Sequence, residues 1–406
     1  MKHQIKLLLT GVVILVLSLE LSAQPQQPTL IVLSLDGFRW DYPQHANTPT
    51  LDSIARVGVK SEIIPSFPSK TFPNHYTLAT GLTPDHHGII FNSFYANDLN
   101  KQYKSNEKLS VQNPDFYGGE PIWNTAERQG VKSFTLFWIG AEAPINGRHA
   151  SRWYPYQQNI PYHSRMDSIL NWLTLPAEQR PGLIMVYFHE PDSKGHHFGP
   201  GSKEVSDVVE EIDRNLAYLF REIKAKGLAG KVNVIITTDH GMCATPRKHY
   251  IDLSHYISKD MLAAIQGNSP VFNVSLKNPS DSSKMQILST VKGMHLYTKK
   301  NIPARLHFGS NSRIYPYILV ADSSYSLGFG GERTYSKGNH GFDPQISDMH
   351  GIFYATGPTF IPETTVNPFH NVDLYDLMAK LLDIQPAKND GNPTTFVNVI
   401  KTHDDL

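Results

Sequence analysis

Four short, nearly unbroken apolar runs constrain what this chain can fold into more than any other feature. They lie at residues 30–35, 182–188, 232–238 and 351–357, and are rich in Val, Ile and Leu. Runs of this length and composition read as strands buried on both faces, the habit of a parallel sheet. Between and after them, residues 48–57, 121–129, 166–174, 204–226 and 372–382 carry helical patterns, and 59–64 and 133–138 read as further strands. The longest helix is amphipathic, with Val205, Val208, Val209, Ile212, Leu216, Leu219 and Ile223 at helical spacing, a stripe for core packing. Strands alternating with helices predict an α/β fold with a mostly parallel sheet flanked by helices. From about residue 244 to 338 the pattern weakens into Pro, Asn and Ser clusters and short alternating segments such as 271–276. This predicts a small inserted α+β cap rather than a second domain, within one domain spanning 24–406.

Residues 1–23 are expected to stand apart from the fold. Lys2 and Lys6 precede an apolar run, and Leu21-Ser-Ala23 offers a small-residue cleavage site, the order of a secretory signal peptide. An uncleaved anchor is the rival reading, although the run is short for a membrane span. Export to the periplasm or the medium is therefore expected, without a stable membrane anchor. Lys plus Arg number 37 and Asp plus Glu number 37, so no global field selects a nucleic-acid polymer. One cysteine, Cys243, permits no internal disulfide, which for an exported chain favours a bacterial envelope setting. Oligomeric state leaves no trace in the sequence. Nineteen histidines are a more telling excess, because several sit beside Asp and Gly rather than on apolar faces.

In open α/β sheets ligands collect at the carboxyl ends of strands. The run 30–35 ends in Asp36-Gly37. The run 182–188 ends in His189-Glu-Pro-Asp192-Ser-Lys-Gly-His196, with Asp192 and His196 four apart, a spacing that places both on one side of a helical turn. The run 232–238 ends in Asp239-His240-Gly-Met, and His340 lies in a Gly-flanked loop. Pro68-Ser-Lys-Thr71-Phe-Pro-Asn-His75 reads as a hydroxyl presented at the start of a helix, facing free N–H groups and the positive end of the dipole. Each motif alone has a bland structural explanation. Together, at successive strand ends, they point to a metal-assisted site for an anionic substrate.

The order Asp-Gly, Pro-x-x-Thr-Phe-Pro-Asn-His, Glu-Pro-Asp-x-x-Gly-His, Thr-Asp-His-Gly-Met and Gly-x-His-Gly resembles the nucleotide pyrophosphatase/phosphodiesterase family of the alkaline phosphatase superfamily. The resemblance runs from about Leu30 to Leu382. It implies an alkaline phosphatase-like core and two zinc ions, one held by Asp192, His196 and His340. The other would be held by Asp36, Asp239 and His240, with Thr71 as both ligand and nucleophile. It further implies Asn92 as a donor to a phosphoryl oxygen, although Phe91 stands where relatives often carry Asp. Phe72, Tyr187 and one of Tyr154 or Tyr156 would form a slot for a nucleobase. His75, His86, His87, His189 and His197 are read as structural or surface histidines.

Mixed His/Asp ligation with open positions suits catalytic zinc. A threonine hydroxyl is a weak nucleophile at neutral pH, so metal coordination has to activate it. The expected activity is hydrolysis of phosphodiester or pyrophosphate bonds of small-molecule nucleotides, releasing a nucleoside monophosphate through a phosphothreonine. Nucleoside triphosphates, dinucleotides, nucleotide sugars and lipid phosphodiesters all suit one such metal core, so a lipid diesterase is the alternative. A sulfatase is disfavoured because Ser69-Lys-Thr-Phe-Pro does not open a C/S-x-P-x-R motif. A non-catalytic metal-stabilised binding protein would be expected to have lost the nucleophile or a ligand.

Overall fold

The computed structural model describes residues 27–330 and 336–401, so the expected leader at 1–23 lies outside the described residues. Strand β1 (Thr29–Leu35) is buried at every position and forms the middle of the main sheet. The next strands of the main sheet along the chain are β2 (Val59–Ile64), β3 (Ser133–Leu136), β4 (Arg152–Tyr154), β5 (Leu183–Phe188) and β6 (Val232–Thr237). A four-stranded antiparallel sheet of β7 (Leu262–Asn268), β8 (Val271–Leu276), β9 (Met294–Thr298) and β10 (Tyr317–Ala321) follows, before β11 (Gly351–Thr356) returns to the main sheet. The main order is β2-β11-β6-β1-β5-β3-β4, with short strands at 364–365 and 369–370 pairing β2. β1 runs parallel to both β5 and β6, with Leu35 opposite Phe188 and Ser34 opposite Thr237. The expected mostly parallel α/β sheet is observed.

Both faces of this sheet are covered because its strands alternate between two cores. Leu30 and Val32 pack with helices α2 (Thr71–Thr80), α3 (Ile122–Arg128) and α7 (Leu374–Leu381). Ile31, Leu33 and Leu35 pack with α1 (Pro49–Val57), α4 (Tyr162–Leu173) and α6 (Lys203–Ala225). No helix of the described residues is long and apolar enough to cross a membrane.

Three details depart from the sequence reading. The strand expected to reach Trp138 stops at Leu136, because Phe137 adopts φ +67°. That turn brings the Trp138 indole N–H to the carbonyl of His75 at 3.2 Å. Residues 152–154, which carry no strand reading in the sequence, supply an edge strand, too short for a periodic signal. β11 runs antiparallel to both β6 and β2.

The four-stranded sheet has its own core, including Leu262, Val274, Leu288 and Leu319. Two buried charges fasten this segment to the main body. The Asp85 carboxylate accepts the backbone N–H groups of Gly309, Ser310 and Asn311 at 2.9–3.0 Å. Arg313 pairs with Asp98 at 2.9 Å and donates to the carbonyls of Gly88 and Phe116 at 2.9 and 2.6 Å. Asp85→Ala strands three N–H donors without their acceptor, so it is expected to cost about 3 kcal/mol or more of stability. Urea unfolding checks this, and an unchanged midpoint would mean that water replaces the carboxylate.

Candidate metal centre and active site

β1, β5 and β6 end at the same edge of the sheet, so the polar residues that follow each strand meet there. Asp36 follows β1, and Asp239 and His240 follow β6. Asp192 opens helix α5 (Asp192–Phe198), which places His196 one turn further on the same face. The Asp36-Gly37 turn is what lets these loops touch. Gly37 has φ +67°, a Cβ there would lie 2.9 Å from the Cα of Asp192, and the amide of Asp192 donates to the carbonyl of Asp36 at 3.0 Å. The Gly37 N–H itself donates to Asp239 Oδ1 at 3.2 Å. Gly341 likewise takes φ +116° behind His340, with the Lys70 Cε where a Cβ would stand.

Thr71 is the first residue of α2. Pro73 fits the first turn, where no intrahelical donor is lost. The Thr71 Oγ1 lies 3.3 Å from His240 Nε2. That nitrogen is 3.0 Å from Asp239 Oδ2 and 3.5 Å from Asp36 Oδ1. A second group adjoins this one: His196 Nε2 is 3.4 Å from Asp192 Oδ1 and 3.1 Å from His340 Nε2, which is 3.6 Å from the same carboxylate oxygen. The two groups share a wall, because the rings of His240 and His340 stack at 3.6 Å. All seven residues singled out as ligands are therefore brought together.

The donor set fits divalent cations on the protein's own hydrogen bonding. Each imidazole has Nδ1 against a backbone carbonyl: His196 on Gly338 at 2.8 Å, His340 on Ser69 at 2.8 Å and His240 on Gly241 at 2.9 Å. A carbonyl only accepts, so each Nδ1 carries a proton and each Nε2 is the nitrogen that faces the shared space, with a lone pair to give when the ring is neutral. Buried Asp36 Oδ1, Asp192 Oδ1 and Asp239 Oδ2 have no hydrogen-bond donor in the structure. One atom from each of Asp36, Asp239 and His240 lies within 4.8 Å of the others, as does one from each of Asp192, His240 and His340. Lone pairs that face one another in a buried pocket repel unless a cation lies between them. Burial, with Asp239 and Asp192 beside it, pushes the Asp36 carboxyl well above the usual range. Burial, with His240, Lys70 and His196 nearby, pushes His340 well down and keeps its ring neutral, as a ligand must be.

The remaining predicted residues divide. Asn92 accepts the Phe72 N–H through Oδ1 at 3.0 Å, leaving its Nδ2 as the group to donate elsewhere. Phe91 is buried against Phe308. The Tyr187 hydroxyl donates to Asp36 Oδ2 at 2.6 Å, which ties this ring to the carboxylate group. Of the two tyrosines left open, Tyr156 packs on Tyr187 at 5.7 Å, whereas Tyr154 stacks on Trp172 at 6.0 Å. Phe72 meets Tyr103 edge-on at 6.3 Å.

His75, read as structural, belongs to the support of the site. Its Nδ1 lies 3.0 Å from the Thr71 carbonyl and 3.3 Å from Asp239 Oδ2, and Ser34 Oγ contacts Nε2 at 2.9 Å. Its spacing of four from Thr71 on one helix was the available signal. His87, by contrast, is a core residue: burial lowers it to about 3, and its ring bonds Thr77, Pro73 and the Ile89 N–H.

A sequence profile described as type I phosphodiesterase / nucleotide pyrophosphatase matches residues 30–343. Ectonucleotide pyrophosphatase/phosphodiesterase family member 7 of Mus musculus is 33% identical over 97% of this chain and 92% of its own length. Family member 3 of Bos taurus is 36% identical over 92% of this chain and 44% of its own length. This chain thus spans under half the length of several curated relatives it matches. The structure of an inactive murine ectonucleotide pyrophosphatase / phosphodiesterase 5 in complex with AMP superposes with a TM-score of 0.88 at 32% identity, over 93% of this chain and 100% of that one. The fold, the ordered motifs and these likenesses agree: the chain belongs to the type I phosphodiesterase / nucleotide pyrophosphatase family.

Proposed function

We propose that this chain is a zinc-dependent nucleotide pyrophosphatase/phosphodiesterase that releases a nucleoside monophosphate through a phosphothreonine at Thr71. One observation carries the reading: a helix-initiating hydroxyl lies against two adjoining groups of proton-locked imidazoles and donorless carboxylates. Asp192, His196 and His340 would hold one zinc ion, and Asp36, Asp239, His240 and Thr71 the other. When bound there, the ions supply positive charge to the attacking and leaving oxygens and favour the alkoxide form of Thr71.

The chain's own groups do the positioning. Thr71 Oγ bonds to phosphorus as the bond to the leaving oxygen breaks and the alcohol, phosphate or pyrophosphate departs; water then cleaves the Oγ–P bond, releasing the nucleoside monophosphate and restoring the hydroxyl. Asn92, with Oδ1 held by the Phe72 N–H, donates through Nδ2 to a non-bridging oxygen. Phe72, Tyr187 and Tyr156 form the walls of a base slot, where stacking is worth about 1–3 kcal/mol per base. Tyr154, drawn off to Trp172, has no part in the slot. The AMP complex of the murine relative supports a nucleotide as substrate. Residues 1–23 support export to the periplasm or medium, and the segment at about 244–338 is read as a cap on the core.

A diester is preferred over a monoester, because a monoester's extra charge calls for a cationic side chain at the non-bridging oxygens. Lys70, next to the nucleophile in sequence, directs its ammonium to the Ser269 carbonyl at 2.9 Å instead. The test is the ratio of kcat/KM for the p-nitrophenyl ester of thymidine monophosphate to that for p-nitrophenyl phosphate. A ratio well above one is expected, and a ratio of one or less would overturn the diesterase assignment.

A further inference from the structure

The converging side chains are not equally covered. His240 and Asp239 are 0% exposed, Asp36 3% and His340 5%, whereas Asp192 is 16% and His196 33% exposed. His196 is thus the most exposed of these six. A groove of about 820 Å³ begins at His196 and Asn339 and runs along β7 and β8 of the inserted sheet. Its walls are largely apolar: Leu262, Ile265, Phe272, Leu327 and Phe329 line it, with the rings of Phe272 and Phe329 edge-to-face at 5.7 Å. Ile265, Phe272 and Phe329 are only half-buried, so their apolar surface faces the groove's open space. Among the described residues that line the groove, Lys259 is the one Lys or Arg.

The direction of the reaction assigns this groove a role. In an in-line displacement the attacking and leaving oxygens lie on opposite sides of phosphorus. Thr71 Oγ1 lies at the His240, Asp239 and Asp36 end. The leaving oxygen then points to the Asp192, His196 and His340 end, where the groove starts. The Tyr187–Tyr156 slot lies at the other end, because the Tyr187 hydroxyl bonds Asp36.

We propose that this groove is the leaving-group subsite, and that it selects diesters whose departing alcohol has an apolar body over nucleoside triphosphates, whose departing pyrophosphate would meet apolar walls. The inference rests on the proposed hydrolysis for its direction, but binding in the groove can be read without turnover. Pyrophosphate carries several charges and gains little from an apolar wall, whereas each methylene that such a wall removes from water adds to binding.

The experiment compares methyl and octyl esters of thymidine 5′-monophosphate, alcohols of similar leaving ability, below the octyl ester's micelle concentration. The octyl ester is expected to have a kcat/KM at least about 10-fold above the methyl ester. Its Kd for the non-turning-over Thr71→Ala protein, by calorimetry, is expected to be lower by a similar factor. Phe272→Ser combined with Phe329→Ser should bring both ratios toward one. Equal Kd values for the two esters in the Thr71→Ala protein would overturn the subsite, as would an octyl preference untouched in a folded double variant. Chain-length-dependent binding without hydrolysis of either ester would keep the subsite and sink the hydrolase reading instead.

Discussion

Replacing Thr71 with alanine is expected to lower kcat/KM for diesters on the order of 10⁴-fold or more, as removal of a covalent nucleophile does elsewhere. The Ser69 hydroxyl, two residues before Thr71, is taken up by the carbonyl of Phe342 at 2.7 Å. The residue before Thr71, Lys70, is bonded to Ser269, and the one after it, Phe72, gives its N–H to Asn92. Zinc content should stay close to that of the parent protein, because His240, Asp239 and Asp36 are untouched. Thr71→Ser keeps the oxygen and loses only a methyl group, so it should keep a substantial fraction of turnover. Near-parent turnover by the alanine variant would refute the phosphothreonine route.

The second large effect concerns the ligands. On the proposed two-zinc arrangement, His340→Ala, or Asp192→Asn, is expected to lower bound zinc from two ions per chain toward one. Activity should fall with it, by more than the roughly 10–100-fold that loss of an outer hydrogen-bond partner costs. The electrostatic reason is on the page. Asp36, Asp239 and Asp192 place three carboxylates in a buried space whose imidazoles are locked with their Nε2 atoms inward. Bound cations offset such a charge at that depth while leaving the carboxylates ionised. Elemental analysis beside a turnover assay separates the cases: full activity with one zinc per chain would sink the paired arrangement, and unchanged zinc in His340→Ala would remove that residue from the ligands.

Much of this arrangement was legible in the chain because it depends on neighbours in sequence. Continuous apolar runs mark strands buried on both faces, and β1, β5, β6 and β11 lie where such runs fall. A parallel sheet aligns strand ends, so Asp36, Asp192, Asp239 and His240, each just past a run, were bound to share an edge once the runs were parallel. The spacing of Asp192 and His196 and the place of Thr71 at a helix start are likewise local geometry.

What only the tertiary structure decided depends on segments far apart in the chain. The antiparallel course of β11 is set by pairing with β2 and β6, which its own apolar pattern cannot encode. Which of Tyr154 and Tyr156 meets Tyr187 was decided there too: Tyr156 packs on it, whereas Tyr154 stacks on Trp172. Lys70 turns to Ser269, nearly two hundred residues on, and His340 takes its proton position from the carbonyl of Ser69, 271 residues earlier. A side chain's type is written in the sequence, whereas the direction of its lone pair is set by whichever distant backbone carbonyl the fold brings against its other nitrogen.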